Sequence, residues 1–119
     1  MSEITRIETS KRMSRVVVHN GIAYLAGVTA DDCGQDIQGQ TRQVLAKIER
    51  HLARAGTDKS QLLTAQIWLK DIGRDFEAMN EVWDAWTDPN DPPTRATAQC
   101  EMADEDILIE IIISAVANG

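Results

Sequence analysis

Two residues near the end of the chain have the types and the setting to do chemistry. Arg95 stands in Pro93-Thr94-Arg95, and Glu110 in the apolar run Ile107-Leu108-Ile109-Glu110-Ile111-Ile112-Ile113. A guanidinium presents a planar fork that grips a carboxylate at two points, which a lysine cannot do. A carboxylate can order a water or exchange a proton, and burying one without a partner or a task is costly. Together the two heads would hold a small acid beside a water. The spacing alone is equally satisfied by a structural Arg–Glu pair in an apolar sheet.

Both residues read as strand residues. Thr94 to Cys100 and Ile107 to Ile113 are extended runs joined by the acidic turn Ala103-Asp104-Glu105-Asp106. If that turn sets a hairpin register, Cys100 faces Ile109, Gln99 faces Glu110 and Arg95 faces Ser114. Alternation then places Arg95, Thr97, Gln99, Glu110 and Ser114 on one face, with Arg95 and Glu110 about 13 Å apart along the sheet. The Glu110 strand is apolar on both faces, the pattern of a central strand in a covered sheet.

The remaining elements follow from periodicity. Ile4 to Lys11 alternates weakly, a short first strand. Ser14 to His19 and Ile22 to Gly27 flank Asn20-Gly21, a hairpin signal because both turn positions need positive φ. Gly27 is either a plain strand end or a point where a side chain would block close approach. A helix capped by Asp36 carries Ile37, Thr41, Val44, Leu45, Ile48 and Leu52 on one stripe and stops at Ala55-Gly56. His51 lies one position off that stripe and reads as a solvated or half-buried helical histidine. Leu62 to Leu69 is a strand with Ala65, Ile67 and Leu69 on one face and Gln66 and Trp68 on the other; Asp71-Ile72-Gly73 breaks it. A second helix, about 75–86, aligns Phe76, Met79, Asn80, Trp83 and Trp86. Asn80 is an amide where a core residue is expected, so it either ties down a loop or contacts substrate. The tryptophans read as packing.

Bulk properties narrow the class. One hundred and nineteen residues make one domain with a real core, and 43% hydrophobic content is globular. A formal charge of −7 leaves no basic surface for phosphates, which argues against general nucleic-acid binding. Two cysteines, Cys33 and Cys100, without CxxC spacing or a nearby histidine predict a reduced, cytoplasmic protein with no metal site. No apolar run is long enough to span a membrane, and the N-terminus lacks an apolar signal core. Two helices must cover a single sheet face. The other face, apolar along the final strand, is expected to pack on another copy of the chain.

The order and spacing of several segments resemble the YjgF/Rid family of reactive-intermediate deaminases (L-PSP-like). They are Asn20-Gly21-Ile22-Ala23-Tyr24-Leu25-Ala26-Gly27, Gln40-Thr41, Asp75-Phe76-Glu77-Ala78-Met79-Asn80, Pro93-Thr94-Arg95 and Ile109-Glu110-Ile111. The match covers about residues 14 to 117 and is nearest the branch with Trp83-Asp84-Ala85-Trp86. The resemblance implies a chorismate-mutase-like α+β domain, a mixed β-sheet with two helices on one face. It also implies a homotrimer with pockets between subunits, and hydrolysis of 2-imino acids to 2-oxo acids and ammonia without cofactor or metal. By the same resemblance Arg95 grips the substrate carboxylate and Glu110 positions the attacking water, while Gly27 and Asn80 support the pocket.

The chain departs from that pattern at three places. Ala26-Gly27-Val28 replaces Ser-Gly-Gln, Lys11-Arg12-Met13 stands where an aromatic residue is placed, and Thr97 replaces a cysteine on the substrate-binding wall. A clamp kept within altered walls points to different imines or a slower reaction. Two other classes stay in play: a non-catalytic trimer binding small carboxylates or regulatory partners, and a ribonuclease. The acidic charge and the placement of His19 and His51 on different elements speak against the last.

Overall fold

The computed structural model describes residues 3–117. Six strands form one mixed sheet: β1 (Ile4–Thr9), β2 (Ser14–His19), β3 (Ile22–Leu25), β4 (Leu62–Leu69), β5 (Thr94–Gln99) and β6 (Ile109–Val116). Helices α1 (Ile37–Arg54) and α2 (Ile72–Trp86) complete the order expected from periodicity. The sheet runs β1-β2-β3-β6-β4-β5.

Local chemistry explains each boundary. Asn20 (φ 52°) and Gly21 (φ 78°) make the β2–β3 turn. The Asp36 carboxylate accepts the Gly39 N–H at 2.9 Å and starts α1, and Gly56 (φ 79°) ends it in the left-handed region. Asp71 does not simply break β4. Its carboxylate accepts the Arg74 N–H at 3.1 Å, so α2 begins at Ile72, three residues earlier than the apolar stripe suggests.

Alternation in the central strands divides the sheet into two sides. Ala65, Ile67, Leu69, Ile109, Ile111, Ile113 and Ala115 are buried beneath α1 and α2 with Val44, Leu45, Ile48, Met79 and Trp83. Gln66, Trp68, Glu110, Ile112, Ser114 and Val116 occupy the open side. Both helices therefore cover one face, as the layer argument requires.

One expectation fails. β5 and β6 are not a hairpin: β5 runs parallel to β4, with Ala65 opposite Arg95 and Ile67 opposite Thr97. β6 inserts between β3 and β4, antiparallel to both. α2 is the crossover between parallel β4 and β5, which fixes β5 at the edge. Residues 100–108 then carry the chain back across β4, held where Cys100 N–H donates to Leu69 O and Lys70 N–H to Leu108 O. The acidic turn belongs to this return and sets no strand register.

Candidate active site

Arg95 lies opposite Ala65, a residue of the helix-covered side, at the sheet edge where α2 passes. Phe76 and Trp83 are two helical turns apart on α2, and the Arg95 Cζ sits 5.8 Å from one ring centroid and 5.7 Å from the other. The aromatic faces hold the guanidinium without consuming its N–H donors. Burial pushes the Arg95 pKa down, and the negative charge of Asp84 opposes that shift. Among the described residues no carboxylate forms an ion pair with Arg95.

Asn80 lies between Phe76 and Trp83 on the same helical stripe, and its Oδ1 is buried without a partner. The loop or strand tie expected of this amide is thus not made by its oxygen. Thr97 follows Arg95 on the same side of β5. At the strand end, Gln99 Oε1 accepts the Ile72 N–H at 2.9 Å, which locks β5 to the start of α2. Arg95, Thr97 and Asn80 are therefore brought together on one side of the sheet.

Glu110 is on the other side. It pairs with Trp68 of the neighbouring β4, and β4 separates its strand from β5. The single face expected to carry Arg95, Thr97, Gln99, Glu110 and Ser114 does not exist, because the parallel crossover moved β5 one strand away and reversed its phase. Gly27 belongs with Glu110: a Cβ built on Gly27 would stand 2.0 Å from Glu110 Oε2 and 2.9 Å from its Cδ. What approaches Gly27 closely is this carboxylate. Val28 then pairs with Ile111, so the irregularity at Ala26-Gly27 opens space for the acid.

Two features went unread in the sequence. The seven-residue spacing of Phe76 and Trp83 is a usable signal for a guanidinium seat, hidden because it is also a packing stripe. Gln40 is fully buried; its Nε2 lies 3.0–3.2 Å from the carbonyls of Cys33, Gln35 and Asp106, and its Oε1 accepts the Leu108 N–H at 3.0 Å. It ties α1 to the segment that delivers β6 and Glu110. His51 is more buried than its helical position suggested, 7% exposed, with Nδ1 3.4 Å from Glu8 Oε2.

Comparison with known proteins identifies the architecture. A family model described as Endoribonuclease L-PSP matches residues 3–117. A RutC family protein from Haemophilus ducreyi is 42% identical over 115 residues, 97% of each chain. The chain belongs to the YjgF/RutC family. The RutC family protein YoaB of Escherichia coli K12 is 40% identical over 95% of this chain and 98% of its own. A YjgF-family structure from Neisseria meningitidis superposes with a TM-score of 0.94 at 38% identity, covering 98% of this chain and 97% of that one. An uncharacterized Pseudomonas aeruginosa protein gives 0.93 at 37%, covering 98% and 100%. In this YjgF/RutC chain no described helix is long and apolar enough to cross a membrane.

Proposed function

We propose that the protein is a cytoplasmic, cofactor-independent deaminase that hydrolyses reactive 2-imino acids to 2-oxo acids and ammonia, as 2-iminobutanoate/2-iminopropanoate deaminases do. The observation that carries this reading is Arg95: a half-buried guanidinium seated between two rings, with its donors uncommitted to a carboxylate of the described chain. A substrate carboxylate completes that arrangement. Water adds to the imine carbon, the tetrahedral intermediate expels ammonia, and the oxo acid remains. Imines hydrolyse unaided, so orientation of the substrate and one water, plus management of a proton, suffices.

Arg95 and Glu110 diverge within one chain, so the reading requires a homotrimer in which the Arg95 side of one copy meets the Gly27–Glu110 side of its neighbour. The experiment generates 2-iminopropanoate and 2-iminobutanoate in situ with a pyridoxal-phosphate lyase and traps surviving imine with semicarbazide. Wild-type protein should cut trapping. Arg95→Ala and Glu110→Ala should each be inactive, while trimers assembled from equal amounts of both recover about a quarter of the sites. No acceleration by the wild type removes the deaminase. Two inactive variants that never complement remove the shared site.

The divergence of the two heads also favours a second reading, a trimer that binds small carboxylates or regulatory partners at Arg95 without catalysis. It predicts Arg95-dependent ligand binding with imine loss no faster than the spontaneous rate.

A further inference from the structure

The outer surface of the helix layer carries a groove that the Arg95 reading does not use. It encloses ≈ 480 Å³ between α1 and α2, within the roughly 300–1,000 Å³ usual for small-molecule sites. Its floor is Leu45 and Val82, both buried, with Ala85 beside them. Trp86 closes one end. Its indole N–H donates to Glu49 Oε2 at 3.0 Å, and the Lys59 ammonium sits 5.2 Å from its ring centroid while donating to the Trp86 carbonyl at 2.8 Å. That wall is fixed on two sides, and both of its charged residues are engaged.

The other two charges are not. Gln38 Nε2 reaches the Ala78 carbonyl at 3.0 Å and Glu49 reaches Trp86, so the helices run in the same direction. Arg42 is one turn beyond Gln38, and Glu81 is three residues beyond Ala78. The guanidinium and the carboxylate therefore face the groove at one level from opposite walls, and neither forms an ion pair among the described residues. A cation on one wall and an anion on the other, over an apolar floor ending in an aromatic ring, complement a zwitterion with an apolar side chain. We propose that this groove binds a free α-amino acid, its carboxylate on Arg42, its ammonium on Glu81 and its side chain over Leu45 and Val82 toward Trp86. The site is independent of the deaminase reading and lies on the side of the molecule away from the open sheet face.

The test follows the indole N–H signals of Trp68, Trp83 and Trp86 by ¹⁵N NMR on the full chain during titration with L-leucine. Assignment uses single Trp→Phe variants. Saturable movement of the Trp86 signal is expected, with 4-methylpentanoate and 3-methylbutylamine, each lacking one charge, binding at least about tenfold more weakly. Arg42→Glu and Glu81→Arg should each lose about tenfold or more, and the double reversal should recover binding. The proposal is overturned by no saturable shift up to about 10 mM, by equal binding of leucine and its singly charged analogues, or by movement confined to Trp83 beside Arg95. The analogue comparison uses wild-type protein, so misfolding of a reversal variant does not blunt it.

Discussion

Gly27 and Glu110 share one space: a Cβ on Gly27 would stand 2.0 Å from the Glu110 carboxylate oxygen. The constraint is room, since Gly27 is not among the glycines with positive φ. Gly27→Ala should therefore fold, with Glu110 rotated off its present rotamer at a cost on the order of 1 kcal/mol. Imine hydrolysis should fall about as far as in Glu110→Ala, and the double variant should be no worse than either single one. Additive losses would show that Gly27 acts on something other than this carboxylate.

Arg95→Lys tests the seat rather than the charge. Lysine keeps the cation but loses the two-point fork and the planar, delocalised group that sits near the Phe76 and Trp83 rings. Binding of a small 2-oxo acid, read by calorimetry, should weaken by about tenfold or more. Phe76→Ala should weaken it less, because Trp83 remains. An Arg95→Lys protein that binds as the wild type does would mean the clamp is a point charge.

The fold was legible because its determinants are local. The Asn20-Gly21 turn, the Asp36 cap, the Gly56 stop and the buried alternation of β4 can each be read within a few residues. The pairing of β5 could not. A four-residue acidic turn between two extended runs suggests a hairpin. What decides otherwise is that α2 makes β4 and β5 parallel neighbours and leaves the remaining gap to β6. That choice depends on helix packing across the whole layer. Arg95 and Glu110 were thus identifiable as chemically apt residues, while the sides they occupy were not.

Glu110→Gln separates catalysis from binding. The amide keeps the size and can still hydrogen-bond a water, but it cannot take up a proton. Turnover should drop by about 10²–10⁴-fold while affinity for a 2-oxo acid at Arg95 stays within about twofold. Full rate in the amide variant would remove proton exchange from the role assigned to Glu110.

Gln40 is the residue whose loss should be felt most in stability among those outside the apolar core. Gln40→Leu keeps the volume but leaves the Leu108 N–H and the Asp106 carbonyl without their present partner. The penalty should be about 0.5–1.5 kcal/mol per lost hydrogen bond, seen as a lower urea midpoint at unchanged slope. Because the same bonds deliver β6, imine hydrolysis should decline with it even below the unfolding midpoint.

His51 gives the pH dependence a sign. Burial pushes its pKa below the ordinary 6.5, partly opposed by the carboxylate of Glu8 and reinforced by the positive charges of Arg50, Arg15 and Lys47. Its Nδ1 is 3.4 Å from Glu8 Oε2, in charge contact but without hydrogen-bond geometry. A histidine with a depressed folded pKa binds its proton more readily once unfolded. Its contribution to stability is complete above pH 6.5 and is lost as the pH falls through the folded value. Urea midpoints should therefore decrease from pH 7.5 toward pH 5, and His51→Gln should flatten that part of the profile. Glu8→Gln removes the one opposing charge, so the decline should become steeper. A wild-type midpoint that rises on acidification over the same interval would place a stabilising partner on the protonated ring.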